Sequence, residues 1–296
     1  MLEHLTTEAI TPQRAVILGA GGFIGGACMN KLQSAGIDTV GITRTEVELM
    51  ADGAADHLCK YITETDALVV VSAKAPVKDN AMLLDNITMM KAICTAIEQT
   101  NPAHVVYISS DAVYADSPTP LSETSCAQPG SLHGAMHLAR ELMLEHSCSA
   151  PLAILRPTLV YGLADPHNGY GPNRFRRLAA NGEDIILFGE GEERRDHILV
   201  DDIADLVHRV LCRRSKGVLN LATGYVTSFR ELAEKIVSLF DSAVSVNGSP
   251  RQGSMPHGGY RPFDSAGTKN AFPDFEYTPI EQGLALVHEQ MTQQER

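Results

Sequence analysis

The stretch AVILGAGGFIGGACMNKLQSAG, residues 15–36, decides the fold. An apolar run of strand length, 15–19, gives way to Gly19, Gly22 and Gly25 with the spacing GxxGxxG, and a segment with apolar residues at intervals of three and four follows from Phe23. A short run of Val and Ile without polar alternation predicts a strand buried on both faces, and the three/four period predicts a helix. The first glycine permits a tight turn, the second lets backbone approach a pyrophosphate, and the third lets helix and strand pack closely. The unpaired N–H groups of the first helical turn, at Phe23 and Ile24, then present positive potential to phosphate. A glycine triad alone is a weak signal. Here it opens the first strand–helix unit of the chain, as dinucleotide binding requires.

The same alternation continues outward. The runs DTVGIT (38–43), ALVVVSA (67–73), HVVYISS (104–110) and LAILRP (152–157) are short and apolar, and helical-period segments such as NITMMKAICTAIEQTN lie between them. This predicts an α/β fold: a parallel sheet with helices on both faces. After about Tyr161 the texture changes to GLADPHNGYGPNRF and later VNGSPRQGSMPHGGYRPF, rich in Gly, Pro and Asn. These read as ligand-facing loops of a smaller C-terminal substrate-binding region. The expected division is 1–162 with 195–222 for the dinucleotide, and 163–194 with 223–296 for the substrate.

Composition bounds the function. A chain of 296 residues with 44% hydrophobic and 20% charged content can bury a sizeable core. A net charge of −12 opposes long-range attraction to nucleic acid or an anionic membrane, so neither is an expected partner. The six cysteines contain no CxxC pair and fall mostly in apolar segments, which favours reduced thiols. With no secretory leader pattern and no apolar run of membrane-spanning length, the expected location is cytoplasmic.

The end of the second strand bears on which dinucleotide is bound. An acidic residue there suits the ribose hydroxyls of NAD, and an arginine suits the 2′-phosphate of NADP. GITRTEVEL places Thr43 and Arg44 at that point, which leans to NADP, although Glu46 is within reach of a ribose.

Eight pieces occur in order: GAGGFIGG; TDALVVVSAKA, with Asp66; Asn86 in LLDNITMMKAI; VVYISSDAVYA; LSET; LAILRPTLVYG; FGEGEERRDHILVDDIADLV; and GVLNLATGYVTSFRELAEKI. Together they resemble the extended short-chain dehydrogenases/reductases of the NAD(P)-dependent epimerase/dehydratase family, whose members mostly act on nucleotide sugars. The resemblance implies a Rossmann-type domain, a homodimer, and further cofactor contacts at Ala73, Lys74 and Pro157. It also implies that Ser110 hydrogen-bonds the reacting sugar oxygen. In the family a tyrosine, aided by a lysine four residues later, moves the hydroxyl proton. Those positions lie in SLHGAMHLAREL and are His133 and His137.

Three readings are open. Imidazole, with an ordinary pKa near ~6.5, needs less tuning than a phenol near ~10 to act as a base, so His133 can transfer the proton while His137 serves the cofactor ribose. Alternatively the protein binds cofactor without redox turnover, as a sensor or scaffold. In the third, the two histidines hold a metal from one helix face. Against this, Gly134 stands where a zinc hydrolase carries glutamate and no third ligand is evident, so no metal is expected.

Other positions refine the substrate. Asp111, a candidate catalytic residue or a simple turn cap, is followed by Ala112 and not by the Glu of some dehydratases, which favours epimerisation or reduction over elimination. Leu159 replaces an asparagine that many relatives direct toward the diphosphate. The resemblance assigns substrate contacts to Tyr161, Asn173, Arg195 and Arg251, the two arginines recognising phosphate. Tyr114, Tyr161 and Tyr170 are open as substitute acids or as packing residues, and Asp202 is expected to cap its own helix.

Overall fold

The computed structural model describes residues 1–240 and 243–294. The five apolar runs become β1 (Arg14–Leu18), β2 (Asp38–Ile42), β3 (Ala67–Val70), β4 (His104–Ile108) and β5 (Leu152–Pro157). Between them lie α1 (Phe23–Ser34), α2 (Ala54–Leu58), α3 (Asn80–Thr100) and α4 (Leu132–Ser147). The chain continues through β6 (Leu159–Tyr161), α5 (Pro172–Ala180), β7 (Ile185–Phe188), β8 (Arg194–Leu199), α6 (Val200–Cys212) and β9 (Gly217–Leu221). It ends with β10 (Val226–Ser228), α7 (Phe229–Val237), β11 (Val246–Ser249), β12 (Tyr260–Arg261), α8 (Ala266–Ala271) and α9 (Ile280–Gln294).

The main sheet is parallel, in the order β2-β1-β3-β4-β5-β9. This is the expected Rossmann-type sheet with helices on both faces. One apolar cluster packs Ile17, Val69 and Leu155 against Leu32 of α1 and Leu206 of α6. The opposite face packs Val16, Leu68 and Ile154 against Leu58 of α2, Met90 of α3 and Leu144 of α4. Each fully buried aliphatic side chain contributes roughly 2 kcal/mol, which explains why the strands carry no polar alternation. A third cluster, with Tyr161, Phe175, Leu187, Phe229 and Leu284, joins β6, α5, β7, α7 and α9. Among the described residues no helix is long and apolar enough to cross a membrane.

Four strands stop short of the apolar runs that predict them: β1 ends at Leu18, β2 at Ile42, β3 at Val70 and β4 at Ile108. The residues left over, among them Gly19, Ala73 and Ser110, leave the sheet and line a cavity. That cavity opens where winding reverses, because β1 has β2 on one side and β3 on the other. Such a switch point leaves a crevice at the carboxyl ends of the strands.

Candidate active site

The cavity has a volume of about 1180 Å³ and is lined at one end by Gly19, Gly21, Gly22, Phe23 and Ile24. Gly19 has a φ of +92°, and a Cβ there would lie 2.8 Å from Ser72 N. A Cβ on Gly25 would lie 2.1 Å from the carbonyl oxygen of Gly19, so the turn and the first turn of α1 touch backbone to backbone. Gly25 itself is buried beneath the cavity. Gly22 is the N-cap of α1, which has no side-chain cap and no acidic residue in its first turn. Its leading N–H groups are thus free for an anion, and the residues present fit a dinucleotide pyrophosphate.

At the next edge Glu46 is occupied, accepting hydrogen bonds from Thr43 N (2.8 Å) and Thr43 Oγ1 (2.6 Å). These bonds hold its carboxyl below the usual range. Thr43 and Arg44 line the cavity, and Arg44 touches Glu48 at 3.3 Å on the exposed rim. Ala73 and Lys74 form part of the floor. Asn86 of α3 clamps that segment, accepting from Lys74 N and donating to Lys74 O, both at 2.9 Å. Pro157 lines the far wall.

The chemical end is built from β4 and α4. Ser110 follows β4, and its Oγ accepts from Ala112 N at 3.1 Å as it caps a single 3-10 turn. α4 starts at Ser131, whose Oγ accepts from Gly134 N at 3.1 Å. A Cβ on Gly134 would lie 2.0 Å from Ala112 O, so the start of α4 rests directly on that turn. This contact brings His133 to the same cavity as Ser110 and His137. The two imidazoles meet edge to face, with centroids 4.8 Å apart. Burial lowers the His133 pKa below 6.5, with Asp111 pulling the other way, and its Nδ1 is enclosed with no partner among the described residues. His137 is held well below 6.5 by burial, His133 and Arg140. Among the described residues no metal-binding group of three or more His, Cys, Asp or Glu side chains forms.

Asp111 does not cap the turn, a role Ser110 takes. It accepts from Arg261 Nε at 3.0 Å and lies 3.9 Å from Arg195 Nη2. Arg195 lines the cavity and also faces Glu193 at 3.3 Å.

Three residues expected to contact substrate do not line this cavity. Tyr161 is 1% exposed in the third apolar cluster, its hydroxyl against Gly283 of α9. Asn173 braces the end of β6, accepting from Gly162 N at 3.0 Å and donating to Val160 O. Arg251 donates to Phe188 O at 3.0 Å and faces Glu192, away from the cavity. The Gly- and Pro-rich loops do reach the cavity, but through Pro166, His167, Pro256 and His257. Tyr114 donates to Asn220 at 2.7 Å and accepts from Arg156 at 2.8 Å, and Tyr170 stacks on Phe188. Asp202 holds Thr278 ahead of α9, and α6 has no side-chain cap. Asp66 pairs with Arg14 at 2.6 Å, a structural role.

Sequence reasoning missed Tyr107, Arg140 and Arg261. Tyr107 read as one more apolar strand residue. Arg261, in the short strand β12, lies near the end of a Gly- and Pro-rich stretch whose composition announced a ligand, with no spacing to single out the arginine. The buried pair of Arg156 and Glu141, 2.5 Å apart, ties β5 to α4 behind the site.

The Burkholderia thailandensis dTDP-L-rhamnose 4-epimerase is 31% identical over 140 residues, a match spanning 44% of this chain and only 38% of that protein. The Escherichia coli K12 GDP-L-fucose synthase is 25% identical over 288 residues, covering 82% of this chain and 88% of that one. The fold is that of UDP-glucose 4-epimerase with UDP-glucose from Thermotoga maritima, with a TM-score of 0.83 at 20% identity over 96% of this chain and 100% of that chain. Residues 15–222, from β1 through the end of the main sheet, match a single family, and the chain belongs to it: the NAD-dependent epimerase/dehydratase family.

Proposed function

We propose that the protein is an NAD(P)-dependent epimerase or reductase of a nucleotide-linked sugar in which His133 does the work of the family's tyrosine. The observation that carries this reading is that Ser110, His133 and His137 line the same cavity as the glycine cradle. A bound nicotinamide supplies the acceptor and donor of hydride. Ser110 Oγ donates to the sugar oxygen and orients it. His133, neutral because burial lowers its pKa, takes the hydroxyl proton as the sugar carbon loses hydride, and returns it in the reverse direction. Asp111 favours the imidazolium that forms. His137 donates to the cofactor ribose.

Arg195 is offered to a substrate phosphate. Its carboxylate contacts, at 3.3 and 3.9 Å, are looser than the 2.5 Å pair of Arg156 and Glu141. With Glu46 engaged by Thr43, Arg44 is the group left for a 2′-phosphate, and NADP is the proposed cofactor. Leu84 and Leu142, exposed on the packed pair α3 and α4, suit a homodimer contact there, checked by light scattering in solution.

The test is hydride exchange with nucleotide sugars, followed by the absorbance of reduced nicotinamide. Turnover is expected to fall on acidification through the His133 pKa, below 6.5, where the base becomes protonated. His133→Ala is expected to lower kcat by about a hundredfold or more and to remove that limb. Turnover unchanged by His133→Ala refutes the assignment. Tight cofactor binding with no hydride exchange for any sugar favours a redox-inactive sensor or scaffold.

A further inference from the structure

His137 carries one hydrogen bond that fixes more than its position. Its Nδ1 lies 2.9 Å from the hydroxyl of Tyr107, on β4, and both side chains are buried. Burial pushes the Tyr107 phenol up to about 12, so at neutral pH it keeps its proton, and among the described residues this buried hydroxyl has no other hydrogen-bond partner, so its O–H donates to Nδ1. Nδ1 must then be the acceptor, and the single proton of a neutral imidazole falls on Nε2. Since His137 lines the cavity and its Nδ1 is engaged by a buried group, Nε2 is the nitrogen left for the cavity.

The surroundings keep this imidazole uncharged. From its own helix it faces His133 and Arg140, and from β4 it faces Tyr107. Arg140 is fully buried, donates to Ser72 O at 2.7 Å, and lies over the Tyr107 ring with its guanidinium carbon 5.3 Å from the centroid. Among the described residues it has no carboxylate within ion-pair distance. Glu141, which also acts on Tyr107, is paired with Arg156. A second positive charge on His137 would meet the uncompensated cation of Arg140 in a water-poor site.

We propose that Tyr107 is a positioning residue: its hydroxyl locks His137 as the neutral Nε2–H tautomer, so that an uncharged donor faces the cofactor ribose where the family presents a lysine. This rests on the cavity's reading as a nicotinamide-cofactor site, but the tautomer is measurable without cofactor. Long-range 15N–1H spectra of the whole protein, labelled in histidine and assigned with His137→Gln, read it directly. The expected result is an unprotonated Nδ1 and a protonated Nε2 for His137, unchanged from about pH 6 to about pH 8. Tyr107→Phe, which removes only the hydroxyl, is expected to shift both nitrogens toward mixed tautomers and to weaken NADP binding about fivefold, the size of one neutral hydrogen bond. A protonated Nδ1 or an imidazolium in the unsubstituted protein at pH 7 overturns the proposal, as do nitrogen shifts unmoved by Tyr107→Phe. If the protein binds neither NAD nor NADP, the cofactor reading fails while the spectra still decide the role of Tyr107.

Discussion

The two ends of the cavity are built by opposite means. At the cradle end, backbone meets backbone because side chains are missing: Gly25 lies under Gly19, and a Cβ would stand 2.1 Å from a carbonyl oxygen. At the α4 end, the cavity is lined by side chains whose properties are set by buried partners, with His137 held by Tyr107 and Asp111 held by Arg261. A backbone site tolerates no added atom, yet little about it depends on pH. A side-chain site can exchange one chemistry for another, at the cost of depending on protonation.

The largest expected effect breaks the cradle. Gly25→Ala puts a methyl group against the Gly19 carbonyl and is expected to cost about 3 kcal/mol and to remove measurable cofactor binding. Thermal unfolding and NADP titration check this. Wild-type binding in that variant would show that the turn has slack and that the contrast is overdrawn.

Acid is expected to act on the buried histidines. His104 and His197 titrate at about 4 and about 3 in the fold, against 6.5 when exposed. Below pH 6.5 the unfolded chain binds protons that the folded protein refuses, so stability is lost progressively as pH falls from 6.5 toward these folded values. At pH 5 the loss is roughly 2 kcal/mol for each. Asp196, raised from 3.8 to about 6 by burial, works in the other direction and returns about 1 kcal/mol at that pH. Urea unfolding at pH 7 and pH 5 measures the balance, and equal stabilities would mean that these histidines are not neutral in the fold.

Smaller effects sharpen the boundary between the ends. Arg44→Ser, at an exposed rim, is expected to weaken NADP binding about tenfold and leave NAD unchanged. An equal loss for both would place Arg44 on the adenine and not on a 2′-phosphate. Arg251→Ala is expected to change substrate KM by less than about twofold, because the guanidinium is turned to Phe188 and Glu192. A tenfold rise would return it to the phosphate site.

The same contrast explains what could be read from the sequence. Glycines at Gly19, Gly22 and Gly25 announce the cradle because their spacing is local and the missing side chain is itself the signal. The sheet was equally legible, since two-sided burial leaves continuous apolar runs such as residues 15–18 and 67–70. Partners distant in sequence were not legible. Tyr107 and His137 are 30 residues apart, and Arg261 lies 150 residues from Asp111. Motif position does not show which way a side chain turns, and Tyr161 and Asn173 both turn into the packing around β6 and α5.

Arg140 makes the order of amino-acid changes matter. A lysine placed at position 137 alone would set its ammonium beside a buried guanidinium that has no counterion among the described residues, and it would strip Tyr107 of its acceptor. A tyrosine–lysine pair built at positions 133 and 137 is therefore expected to fail when made alone. Arg140 has to be neutralised first, and a design that ignores this sequence of steps starts from two like charges in one dry pocket.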